Sequence, residues 1–158
     1  MQNERQAMRS EEQIVVFQLG HESYGVDISL VQEIKTMAPI TRMPECPDYV
    51  DGVLNFRGQV TPVVNMRVRF GMQRAEPTKD TRIIVVGSRS QPVGLLVDSV
   101  SEVLRLPAEL VAPPPPLLCE GRESAVRGIA RVGEERLIIL LELSEVLKSV
   151  GELLPAAA

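Results

Sequence analysis

Tryptophan is missing from this chain of 158 residues, and only 3% of it is aromatic, three Phe and two Tyr. A surface that stacks bases needs aromatic rings, and one that tracks phosphates needs a basic excess. The chain has neither: its formal net charge is −4 and its pI about 5.1. Nucleic acid is therefore set aside as a partner. There is one histidine, His21, and there are two separated cysteines, Cys46 and Cys119. One imidazole and two isolated thiols do not make a zinc set, a CxxC pair or a disulfide framework. No phosphate-cradling glycine loop and no GxSxG elbow occurs, so no cofactor is expected. No apolar run reaches the roughly 20 residues of a membrane-spanning helix. The start, "MQNERQAMRSEEQ", is polar and does not read as a secretion signal. These absences predict a reduced, cytoplasmic protein without catalysis. The competing expectation, an enzyme on a small β-barrel, would rest on His21 as base, although that residue falls in a turn.

What is present is aliphatic. The chain is 44% hydrophobic, and Val, Ile and Leu run through segments with strand character. "QIVVFQL" reads as a strand, "GHES" as a turn and "YGVDI" as a second strand. "SLVQEI" is expected to be a short helix, with Ser29 as N-cap and Gln32 completing a capping box. The segment "GVLNFRGQVTPVVNMRVRFG" (52–71) reads as a hairpin running into a short helix that ends at Gly71. Residues 73–81, "QRAEPTKDT", look like a linker. "RIIVVGSRSQPVGLLVDSVSEVLRL" repeats strand, turn, strand, helix. Pro113–Pro116 should form a rigid surface loop. A last hairpin and a closing helix at about 143–149 follow. Residues 1–12 and 150–158 are expected to be flexible tails.

The second half echoes the first. With Gly25 set on Gly94, a shift of 69, Val31-Gln32-Glu33-Ile34 falls on Val100-Ser101-Glu102-Val103. A shift of 76 or 77 sets the hairpin at 52 on "GIARVGEERLIILLEL". Two copies of one small β unit are implied, at about 13–72 and 82–143. Neither is large enough to bury much apolar surface alone, so they should share a core.

The hairpin carries an oddity. Its turn holds Phe56 and Arg57, a large apolar residue and a cation, whereas the second copy turns on Gly133, Glu134 and Glu135. A fold that turns without Phe56 and Arg57 in one copy does not need them in the other. Arg57 therefore reads as a contact residue, and Phe56 as either a lid on the core or a wall of a groove. Glu33, on the expected helix, is the acid of opposite sign. Gly52 and Gly58 read as backbone positions that need positive φ.

In "FQLGHESYGVDISLVQEI", "ITRMPECPDYVDGVLNFRGQVTPVVNMRVRFG", "GLLVDSVSEVLRL" and "LIILLELSEVL" the chain resembles the CheW family, the coupling proteins of bacterial chemotaxis, from about residue 13 to 149. The family's usual Asn-Leu-Arg-Gly stands here as Asn55-Phe56-Arg57-Gly58, and its usual Asp is Asn65. The resemblance implies a mainly β fold of two intertwined five-stranded, SH3-like barrels with short helices. It implies a non-enzymatic adaptor between chemoreceptors and the histidine kinase CheA, located at receptor arrays on the inner membrane. An adaptor of a non-flagellar chemosensory pathway is the alternative within the family. The receptor's helical hairpin tip is expected in a groove involving Val31, Glu33, Gly52, Phe56, Arg57 and Gly58, with Val97 and Val100 as neighbours. The regulatory domain of CheA is the second expected partner.

Overall fold

A computed structural model describes residues 11–88, 90–115 and 125–148. Pro116, Cys119 and most of both expected tails lie outside these residues. Eleven strands are described: β1 (Glu11–Leu19), β2 (Glu22–Asp27), β3 (Val31–Thr36), β4 (Val50–Phe56), β5 (Gln59–Asn65), β6 (Arg82–Gly87), β7 (Pro92–Val97), β8 (Ser99–Pro107), β9 (Val111–Ala112), β10 (Val126–Val132) and β11 (Arg136–Leu141). Two one-turn helices follow β5 and β11: α1 (Met66–Arg69) and α2 (Leu143–Val146).

The strands form two sheets, ordered β8-β1-β2-β11-β10-β9 and β3-β6-β7-β5-β4. The shift of 69 sets β1 on β6, β2 on β7 and β3 on β8, and the shift of 76 sets β4 and β5 on β10 and β11. The two orders are then identical apart from the two-residue β9, which makes one sheet six-stranded where five were expected. Each sheet takes the first two strands of one copy and the last three of the other. Residues 13–72 and 82–143 are thus repeats of sequence, and neither folds into a sheet of its own. The exchange is marked by one parallel pair in each sheet, β2 with β11 and β5 with β7.

This interlocking explains why β1 and β6 are apolar at successive positions. Both strands are buried on both faces, and such strands lose their polar alternation. Val15, Phe17 and Leu19 join Ile84 and Val86 in a core shared by the two sheets. Ile14 and Val16 turn the other way, into a cluster with Ile138 and Leu140. Ile83 and Val85 do the same in the other barrel, with Leu54, Phe56 and Val63. The repeated glycines serve this packing: a Cβ on Gly25 would lie 2.4 Å from Ile14, and one on Gly94 2.9 Å from Ile83. The scarce aromatics are concentrated, with Phe17, Tyr24 and Phe70 stacked at centroid separations of 5.7 and 5.4 Å.

Two sequence expectations are overturned. "SLVQEI" is not a helix: Ile28–Leu30 form a single 3-10 turn, and Val31–Thr36 are β3. Asp27, not Ser29, is the cap, accepting from the Ser29 N–H at 2.9 Å. Gln32 completes no capping box; its amide donates to the Gly87 and Ser88 carbonyls. The expected helix in "DSVSEVLRL" is likewise strand β8. An amphipathic six-residue run satisfies helix and strand patterns alike, and here the waiting edges of β6 and β1 supply the ladder. The N-terminal expectation also shifts, because β1 begins at Glu11 and Glu12 pairs with Arg127 at 2.8 Å. Of the expected closing helix, Leu143–Val146 form the single turn α2, and its last carbonyls accept from the Arg69 guanidinium. No helix among the described residues is long and apolar enough to cross a membrane.

Candidate functional site

The β4–β5 connection is two residues long. Arg57 and Gly58 both have positive φ, 51° and 81°. Two left-handed residues match the twist of a two-residue hairpin, and Asn or Gly normally supplies them. Arginine in this conformation is strained by roughly 1–2 kcal/mol. The turn is steadied by Asn55, whose side-chain oxygen accepts from the Gly58 N–H at 2.9 Å.

From this turn the Arg57 guanidinium donates to Glu33 Oε1 at 2.9 Å. The Arg57 side chain is 64% exposed and that of Glu33 36%. Lys35 lies on the other side of the same carboxylate, with Nζ 3.9 Å from Oε2. Beneath both cations is Phe56, only 2% exposed, in the cluster formed by Leu54, Val63, Ile83 and Val85. Its ring centroid is 5.0 Å from Arg57 Cζ and 5.6 Å from Lys35 Nζ. The result is a charged rim on an apolar base, built from β3 and the β4–β5 turn.

Glu33, Arg57, Gly58 and Phe56 are therefore brought together as the sequence implies, but Phe56 is not a groove wall. It is core, with its face under the rim. Val97 is also buried, 2% exposed, in the shared core. Val31 and Val100 are half-buried and pack on that core. Gly52 is buried, with φ +146°, and a Cβ there would lie 2.1 Å from the Thr41 carbonyl oxygen. Thr41 and Val53 exchange two 2.8 Å backbone bonds across this point, so Gly52 serves the close approach of two segments of the chain. Lys35 was missed in the sequence because the expected helix ended at Ile34 and so separated it from Glu33. A strand reading sets Glu33 and Lys35 on one face. Exposed apolar residues stand at the same hairpin and strand, Val60 and Ile34.

Asn65 accepts from the Val68 N–H, capping α1, and donates Nδ2 to Asp51 at 3.1 Å. Asp51 also pairs with Arg74. The amide at 65 is thus matched to a carboxylate at 51. Asp98 accepts from Arg67 Nε and Nη2 at 2.7 and 2.5 Å and from the Gly20 N–H at 2.8 Å. Arg67's hydrogen bonds hold the Asp98 carboxyl below its usual range, against the opposing effect of burial. His21 is exposed in the β1–β2 turn. It does not line the cavity of about 770 Å³ that runs past Met37, Met43, Cys46 and Arg74.

Two interlocked barrels present a charged rim over a packed base, the architecture of a small β scaffold. Residues 13–151 match the CheW-like domain, and the chain belongs to that family. It is 40% identical to the chemotaxis protein CheW of Rhizobium meliloti over 137 residues, 87% of this chain and 88% of that one. It is 36% identical to the chemotaxis protein CheW of Klebsiella aerogenes over 138 residues, covering 87% and 82%. The crystal structure of the scaffolding protein TtCheW from Thermoanaerobacter tengcongensis is similar, with a TM-score of 0.77 and 38% identity, covering 87% and 92%.

Proposed function

We propose that this chemotaxis scaffold couples chemoreceptors to the histidine kinase CheA, with the tip of the receptor's cytoplasmic helical hairpin docking at the rim of Arg57, Glu33 and Gly58. The regulatory domain of CheA is the second partner. The protein does no chemistry of its own and works by holding the two in a set geometry at the cytoplasmic face of the receptor array. One observation carries the reading. Arg57 occupies a strained left-handed position at a hairpin tip, where the other copy uses Gly133 with φ +71°. Strain kept at an exposed charged residue is a mark of a functional site. An apolar hairpin tip would meet the exposed apolar residues, and the rim charges would set its register more than its affinity.

The test is Arg57→Glu in separate pull-downs with a receptor signalling fragment and with CheA. The expected result is loss of the receptor with CheA retained and an unchanged thermal melt. Unchanged receptor affinity in a folded variant would overturn the reading.

A further inference from the structure

We infer that Phe56 is a positioning residue: its buried ring orients the Arg57 and Lys35 cations around Glu33, so that the rim is arranged before any partner arrives. Two cations converge on one carboxylate, with Arg57 at 2.9 Å and Lys35 at 3.9 Å. Glu33 alone cannot order both, and an arginine 64% exposed would otherwise sample many rotamers. The face of an aromatic ring carries negative charge and attracts cations within about 6 Å of its centroid. Both distances, 5.0 and 5.6 Å, fall in that range.

The ring is able to act as a support because it is buried and packed on all sides but the rim. Phe56 is the last residue of β4, paired with Gln59, and its side chain is enclosed by Leu54, Val63, Ile83 and Val85. The second copy separates packing from positioning. There the equivalent of Phe56 is Val132, 76 positions on, the place of Arg57 is taken by Gly133, and Arg136, the first residue of β11, pairs with Glu102 at 2.9 Å. An aliphatic side chain is enough to build that barrel. The ring is an addition at the one copy whose turn carries an exposed arginine. Pre-arranging the rim lowers the ordering cost of binding.

The effect on a partner rests on the receptor-docking reading above, whereas the positioning itself can be read in the free protein. Fluorinated phenylalanines at position 56, 4-fluoro and then 3,4,5-trifluoro, keep the shape of the ring while draining charge from its face. NMR relaxation at Arg57 Nε–H reports side-chain order. The expected result is a stepwise loss of Arg57 order along the series with an unchanged thermal midpoint. Phe56→Leu should remove the ring-current shift of the Arg57 signals and lower its order to that of Arg136. Equal Arg57 order across the series would overturn the inference and leave Phe56 as core filling only. Affinity for a receptor signalling fragment should fall about two- to fivefold from Phe to trifluoro-Phe, the equivalent of an exposed cation–π contact. If fluorination loosens Arg57 and receptor affinity does not respond, positioning stands and the receptor-docking reading fails.

Discussion

Arg136 Nη1 lies 2.9 Å from Glu102 Oε2, so the counterpart of Glu33 is also paired with an arginine, but one that begins β11, whereas Arg57 sits in the β4–β5 turn where the second copy has Gly133. Each acid is on the third strand of its copy, β8 or β3, and each arginine is at the copy's last hairpin. All four side chains are more than a third exposed. Exposed pairs contribute at most about 1 kcal/mol. Arg57→Ala and Arg136→Ala should each lower stability by less than about 1 kcal/mol in urea unfolding, and the two losses should add. A loss above roughly 3 kcal/mol for either would mean that closure of the barrel depends on the pair.

Asp98 links the β1–β2 turn to α1 through Gly20 and Arg67, and its carboxyl is held below the usual range. A carboxylate whose folded pKa is depressed stabilises the protein above its unfolded pKa, about 3.9, and that stability is lost as pH falls through the folded value. Asp98→Asn should cost about 1–3 kcal/mol at pH 7, and the gap to the wild type should shrink in acid. Urea midpoints at pH 7 and pH 3 check this. An equal gap at both would mean that the charge of Asp98 contributes nothing.

Gly52 and Gly58 both have positive φ but differ in surroundings. A Cβ at Gly52 meets the Thr41 backbone at 2.1 Å, whereas one at Gly58 meets nothing within 4 Å. Gly58→Ala should therefore cost only the backbone strain, roughly 1–2 kcal/mol. Gly52→Ala must also displace residues 41 and 42, and should cost more than about 3 kcal/mol. Thermal unfolding of the two variants orders them, and equal losses would contradict the geometry.

Asn65→Asp would replace the amide that donates to Asp51 with a second carboxylate. The lost hydrogen bond and the new repulsion should destabilise by about 1–2 kcal/mol at pH 7. Adding Asp51→Asn should restore part of the loss by reversing the donor and acceptor roles. A double-mutant cycle in urea that shows no coupling would mean that the Asn65–Asp51 contact contributes nothing.

The repeat, the aliphatic core and the hairpin at 52–71 were legible because each is a local pattern or a comparison within the chain. The oddity of Arg57 was legible for the same reason, since the second copy shows what the turn requires. Glu33 was found in the wrong element, and Lys35 was missed with it. Six residues such as "SLVQEI" satisfy helical and strand spacing equally, and only a neighbouring edge to pair with decides between them. The role of Phe56 was undecidable locally, because an aromatic residue beside a turn faces core or solvent according to what lies across the barrel.

By itself the sequence determined that the chain is mainly β, is built twice from one unit, and has an aliphatic core with a cation at one hairpin tip. Only the tertiary structure decided that the copies exchange strands. Hydrophobic periodicity says which face of a strand is buried but not which copy buries it. The same exchange decided the rim: β3 and the β4–β5 turn are more than twenty residues apart in sequence. They meet because the sheet of β3, β6, β7, β5 and β4 curls until its two ends face each other over Phe56.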